Sequence, residues 1–460
     1  MEIPERCKID IKLDRNDDAK LYTSGSTISG NAIVSASHDT AIVALEISFY
    51  GITTIALDSM SDFKSARHQF LRMRMPALDE WLPQTHVLTA ERTYSIPFTF
   101  TVPYHLSLSI CRHRCDHMDV IEKHTRLPPS LGCWDKHDKL RGSTRIQYGI
   151  AVELTRRPSL QSDKPITEHA HKPVKVLPAV PEDPPLDLSP VSDDGANCWT
   201  SNLQRGLFSR PSGRVTARLN QPRAISLAGD GYGSFGSYAN VDFEFVPFQP
   251  GVPPPTIHVK RGRIISTTIY SIYEFTKIPR GAFNTGLTYS YRSIHPILYL
   301  SPESTKWMTV PVGDVEAVAS HKSSPKALVP TLTKRGSREC KGSTQEAAKY
   351  TTTLRIPFTL LNKGSSFVIP TFHTCFISRV YSLQLKFSFD RAGSKIFLTV
   401  PVQINVPAMF NPDIVELPSF SSALSEGEQR IHVFFGSDST GTQASTRWNL
   451  PPPEYDRLSS

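Results

Sequence analysis

Apolar side chains recur at every second position in several stretches of the chain, which is the period of a half-buried strand. Val43, Leu45, Ile47 and Phe49 alternate with Ala44, Glu46, Ser48 and Tyr50. Ile146, Tyr148, Ile150, Val152 and Leu154 alternate with Gln147, Gly149, Ala151 and Glu153. The second half behaves the same way. Leu383, Leu385, Phe387 and Phe389 stand against Gln384, Lys386 and Ser388, and Ile396, Leu398, Val400, Val402, Ile404 and Val406 against Thr399, Gln403 and Asn405. Helical spacing sustained over three turns is almost absent, so the pattern predicts an all-β body of antiparallel strands.

An internal echo suggests that this body is built twice. Tyr94-Ser-Ile-Pro-Phe-Thr-Phe100 matches Leu354-Arg-Ile-Pro-Phe-Thr-Leu360, and in both copies the proline falls on the polar face. Proline cannot donate to a ladder, so the placement suits an edge strand or a bulge. Two related sandwiches are expected, at 8–156 and 201–407. The Pro-rich, polar stretch 157–200 reads as an extended connector or a long surface loop, 320–350 as a polar insertion, and 408–460 as a flexible tail too polar to offset the entropy of ordering.

The length of 460 residues allows two to three domains with cores of their own. The net charge of +8 is a mild excess that suits anionic lipid or acidic partners, while no dense basic run alternates with aromatics as a nucleic-acid surface would. Seven cysteines without regular spacing point to a reducing compartment rather than a disulfide framework. The N-terminal residues carry charges at once, and no apolar run approaches the length of a membrane span, so the chain is expected in the cytoplasm, with peripheral recruitment to plasma membrane or endosomes.

The tail holds the most specific motif. Pro451-Pro452-Pro453-Glu454-Tyr455 contains the Pro-Pro-x-Tyr core that WW domains read. The prolines pre-set a polyproline II helix, and the Tyr455 ring fills a second pocket of an aromatic-lined groove. Pro452, Pro453 and Tyr455 are therefore the candidate WW-binding residues.

Several strings resemble those of α-arrestins, the arrestin-related trafficking adaptors, in particular fungal members with an arrestin-like N-terminal domain. They are Tyr22-Thr-Ser-Gly-Ser-Thr-Ile-Ser-Gly30, the strand Ala41 to Gly51, Leu127-Pro-Pro-Ser-Leu-Gly132 with Ile146 to Ile150, Gly206-Leu-Phe208, and Pro370 through Leu385. The resemblance runs from about Lys8 to Val406. It implies two tandem immunoglobulin-like, arrestin-type β-sandwich domains joined by a short hinge, with long polar loops and a disordered C-terminal tail. It further implies an adaptor without enzymatic activity or cofactor. Such an adaptor recruits a WW-domain HECT-type ubiquitin ligase to the cytosolic segments of membrane transporters or receptors, promoting their ubiquitylation and endocytosis. The alternative keeps the fold and drops the ligase, leaving a sorting or signalling scaffold. Many relatives carry two or more such motifs and this chain has one, so avidity within a monomer is not expected.

Other candidates are weighed against plainer readings. Cys111, His113, Cys115 and His117, with His124 beyond, are the one cluster with metal-ligand chemistry. Structural zinc sites usually pair two short knuckles across a longer loop, and four alternate residues on a strand close poorly into a tetrahedron. The reading is a basic loop with incidental Cys and His, and no metal. Ser159 after Arg156-Arg157-Pro158, together with Ser189 and Ser324 before prolines, are candidate phosphorylation sites, where added charge would mask or create a docking surface. Lys322, Lys326, Lys334 and Lys341 are candidate ubiquitin acceptors. No phosphate-binding glycine loop, nucleophile elbow, His-Glu-x-x-His or kinase signature occurs in the sequence.

Overall fold

The computed structural model describes residues 7–14, 20–59, 62–76, 81–132, 144–157, 165–185, 197–204, 210–228, 233–279, 288–300, 306–310, 349–361, 367–389 and 395–408. The fold is all-β with one short helix among the described residues. The N-terminal half comprises β1 (Cys7–Leu13), β2 (Leu21–Tyr22), β3 (Thr27–Ala36), β4 (Thr40–Ser59), β5 (Asp62–Arg74), β6 (Val87–Leu88), β7 (Thr93–Thr101), α1 (Met118–Thr125), β8 (Arg145–Arg156) and β9 (Ile166–Val176). The C-terminal half comprises β10 (Cys198–Gln204), β11 (Pro211–Leu219), β12 (Ile225–Ser226), β13 (Ser237–Pro247), β14 (Ile257–Ser271), β15 (Thr288–Tyr299), β16 (Met308–Val310), β17 (Lys349–Leu360), β18 (Phe372–His373), β19 (Ile377–Phe389), β20 (Lys395–Val402) and β21 (Ile404–Asn405).

Two sheets face each other in the N-terminal half, one ordered β1-β3-β7 and the other β2-β9-β8-β4-β5 with β6 on β4. Their inner faces meet through aromatic rings: Phe49 of β4 lies 6.2 Å from Phe100 of β7, and Tyr148 of β8, in the same sheet as Phe49, stacks on it at 6.0 Å. Gly30 of β3 is required by close approach, because a Cβ there would run into the Lys12 carbonyl oxygen.

In the C-terminal half β15 belongs to two layers. It pairs with β14 over residues 288–296 and with β17 over 297–299, so one strand turns the corner between the sheets. Phe243 of β13 meets Phe387 of β19 edge-on at 5.4 Å across that core. The alternation seen in sequence is buried as expected in β8 and β19: Ile146, Tyr148, Ile150, Val152 and Leu154 are at most 1% exposed, and Leu383, Leu385 and Phe387 are fully enclosed.

Three expectations change. First, Val43 is 52% exposed and Ile42 takes its place in the core. A bulge between Ile42 and Ala44, opposite Arg156 and Thr155, inserts one residue and inverts the face of everything before it. Second, the stretch expected as connector contains β9, which pairs with β8 from Tyr148↔Val174 to Arg156↔Ile166. Only Val174 and Val176 of β9 are buried, so the strand lacks the apolar alternation that would betray it. Third, Pro97 does lie in an edge strand, β7, but Pro357 lies in β17, inside its sheet. The Pro357 carbonyl accepts from Leu300 N at 3.1 Å where β15 leaves the ladder, so the missing N–H faces the break between β15 and β16.

Candidate functional site

The polar chemistry of the described residues concentrates where the two halves meet. After β7 the chain makes a 3-10 turn at Leu108–Ile110, opened by Ser107, whose Oγ accepts from Ser109 N at 3.4 Å. A loop of residues 111–117 follows, then α1. The helix buries Val120 and His124, four residues apart on one face, and carries Lys123 in its last turn, where a cation suits the helix dipole. Arg126 is extended and Pro128-Pro129 follow, so the helix stops there.

The C-terminal half supplies a tight turn between β18 and β19. Thr374 Oγ1 accepts from Ile377 N at 2.9 Å and Thr374 N donates to Ile377 O at 2.8 Å, which holds Cys375 at the tip. Phe275 N donates to the Cys375 carbonyl at 2.7 Å, fixing the turn against the chain that leaves β14. Across the seam, Phe376 packs on His68 of β5 with ring centroids 5.2 Å apart, Asp116 N donates to Thr276 O at 3.0 Å, and Lys277 Nζ pairs with an Asp116 carboxylate oxygen at 3.2 Å.

This geometry gathers four ligand-type groups. Cys111 Sγ lies 3.4 Å from His113 Nε2 and 3.5 Å from His124 Nδ1. With Cys375, these residues each offer one ligand atom, all within 4.8 Å of one another. Cys115 Sγ flanks the group, 3.5 Å from Cys111 Sγ and 3.7 Å from His113 Nδ1. His124 is 1% exposed, and burial, reinforced by the nearby His113, lowers its pKa to about 4, so the ring is neutral. Burial raises the thiols, Cys115 to about 12 and Cys375 to about 11, so without a cation they are protonated and poor nucleophiles.

The arrangement changes the reading of the cysteine and histidine run. Residues 111–117 are a loop rather than a strand, so alternate residues need not point to opposite faces. His117 is the exposed residue at the N-cap of α1 and stays outside the group. Cys375, more than 250 residues away in sequence, completes it. Sequence reasoning placed Cys375 only inside the Pro370–Leu385 string, and no local spacing links it to Cys111.

A second polar cluster lies beside the first. Arg126 donates to Asp183 Oδ1 at 2.7 Å, Lys123 Nζ sits 3.3 Å from Asp183 Oδ2, and Arg126 also reaches Glu122 at 2.7 Å. The segment carrying Asp183 is stitched to the C-terminal half: Asp183 N donates to Gln403 Oε1 at 2.7 Å, Gln403 Nε2 donates to Pro181 O at 2.8 Å, and Val180 bridges Val406. Lys123, Arg126, Asp183, Val180, Thr371 and His373 line a small cavity there. Burial and the surrounding cations push His373 down to about 3, so it too is neutral.

The candidate residues Pro452, Pro453, Tyr455, Ser159, Ser189 and Ser324, and the four lysines of the insertion, lie outside the described residues. Residues 312–406 match the family model described as the Bul1 C terminus. Within that stretch the described residues form β17 to β21 and include the turn that carries Cys375. The match supports an arrestin-like, Bul1-type C-terminal half, in line with the all-β architecture. No curated protein matches the chain.

Proposed function

We propose that the chain is an adaptor that brings a WW-domain HECT-type ubiquitin ligase to membrane transporters or receptors and promotes their ubiquitylation and endocytosis. The observation that carries this reading is Pro452-Pro453-Glu454-Tyr455, which follows in sequence a two-sandwich body whose residues 312–406 match the Bul1 C terminus. The sandwiches hold the cytosolic segment of the client, and the tail grips the ligase. Tethering both on one chain turns ubiquitin transfer between separate molecules into a nearly intramolecular event, which raises its rate through effective concentration. The chain works by contact, without catalysis of its own.

In this reading the N-terminal domain extends through β9 to Val176, and the segment that follows, with Asp183, joins it to the C-terminal domain. The protein is cytoplasmic and is drawn to plasma membrane or endosomes by its client, with anionic lipid contributing through the net charge of +8. No described helix is long and apolar enough to cross a membrane. Phosphorylation at Ser159, Ser189 or Ser324 gates client engagement by adding charge.

The test is binding of the full chain to an isolated WW domain by isothermal titration calorimetry. Tyr455→Ala empties one of the two pockets and is expected to weaken binding by about ten-fold or more. Equal affinity of the variant and the parent chain would remove the ligase from the proposal.

A further inference from the structure

We propose that Cys111, His113, His124 and Cys375 form a tetrahedral site for a borderline-soft divalent cation, zinc foremost, that staples the two β-sandwich halves together. Three ligands come from the loop and helix after β7, and the fourth from the turn between β18 and β19.

The distances fit. With zinc–sulfur bonds of about 2.3 Å and zinc–nitrogen bonds of about 2.0–2.1 Å, the sulfur–nitrogen edge of a tetrahedron is about 3.5–3.6 Å. The two such edges from Cys111 Sγ are 3.4 Å to His113 Nε2 and 3.5 Å to His124 Nδ1. No pair in the set is further apart than 4.8 Å, so closing the tetrahedron takes side-chain shifts of about 1 Å.

The surroundings fit as well. His113 Nδ1 lies 3.2 Å from the Arg114 carbonyl oxygen, to which it can donate, leaving the Nε2 lone pair aimed at the centre. His124 is buried, and among the described residues its Nε2 has no hydrogen-bond partner and its Nδ1 meets a thiol. A metal bond through Nδ1 gives that lone pair a partner far stronger than a thiol, with the ring proton held on Nε2. Uptake of the ion by two thiols and two neutral imidazoles releases two protons to solvent and leaves a site of zero net charge, which suits burial. Two sulfurs with two imidazoles is a donor set that selects zinc over calcium or magnesium.

A disulfide is the competing use of these thiols. It leaves unexplained why two imidazoles converge on Cys111, and it needs an oxidant. Cys115 touches the group from outside and is assigned no bond to the ion. The physical role of the site is to fix how the two halves meet: α1 on one side and the Cys375 turn on the other become one cross-linked unit, so a surface composed from both halves is pre-organised.

The experiment uses the full chain purified from zinc-supplemented medium, with the WW-binding tail intact and assayed in parallel as an independent check. Elemental analysis is expected to find about one zinc per chain, and cobalt(II) exchange to give the absorption of a tetrahedral site with two thiolates. Cys375→Ala and His124→Ala are expected to lose the metal, whereas Cys115→Ser keeps it. A readout on the parent chain covers variants that fail to fold: chelation is expected to speed alkylation of Cys111 and Cys375, mapped on peptides, by about ten-fold or more. Zinc well below stoichiometry, a Cys111 disulfide in its place, loss of zinc in Cys115→Ser, or alkylation unchanged by chelator would each overturn the assignment.

Discussion

Arg126 donates through Nη1 to Asp183 Oδ1 at 2.7 Å, joining the end of α1 to the segment that is itself hydrogen-bonded to Gln403. Both side chains are about four-fifths buried, so the pair is less screened than a surface ion pair and still less than fully desolvated. Burial alone would raise the Asp183 pKa, but the hydrogen bond from Arg126 and the charge of Lys123 outweigh it and hold the carboxyl below its ordinary value.

Asp183→Asn is therefore expected to destabilise the chain by about 1–2 kcal/mol near neutral pH, read from urea unfolding. The sign of the pH dependence follows from the depressed pKa. The unfolded carboxyl takes up its proton near pH 4, the folded one only lower, so the contribution is complete above about pH 5 and is lost as pH falls through the folded value. The difference between parent and variant should shrink along that window; a difference independent of pH would show that the charge is not what matters.

His295 on β15 tests the opposite half. Its Nε2 lies 3.0 Å from Ser266 Oγ, and burial, with the positive charge of Arg379, lowers its pKa to about 4. The unfolded ring binds a proton near pH 6.5 and the folded ring resists it, so acidification favours unfolding between about pH 6.5 and pH 4, by up to about 1.4 kcal/mol per pH unit. His295→Gln removes that proton uptake, so its stability relative to the parent should rise as pH falls through this window. Parallel curves for the two proteins would contradict the account.

The bulge in β4 makes a sharp contrast between neighbours. Ile42 is 6% exposed and Val43 52% exposed. Ile42→Ala is expected to lower stability by about 2–4 kcal/mol, whereas Val43→Ser should stay within about 0.5 kcal/mol. Thermal or chemical unfolding of the two variants reads this directly, and a large loss at Val43 would place the chain one residue out of register.

The order of residues along the chain was enough to settle the class of structure and the faces of its regular strands away from the β4 bulge. Alternation at Ile146 to Leu154 and Leu383 to Phe389 is a local property, and burial follows it because neighbouring side chains on a strand point to opposite sides. Pro97 was legible in the same way, on an edge strand, whereas Pro357 lies inside its sheet and its missing N–H is accommodated only by the break between β15 and β16. The Pro-Pro-x-Tyr string needs no fold to be read.

Whatever depends on distant partners emerged only with the packed chain. β9 exists because β8 offers it a free edge, although its own residues show little apolar alternation. Val43 turned outward because one extra residue was accommodated opposite Arg156 and Thr155. Cys375 met Cys111, His113 and His124 only because the turn between β18 and β19 is carried against α1. Such contacts arise from the path of the whole chain, and a window of ten or twenty residues holds no trace of them.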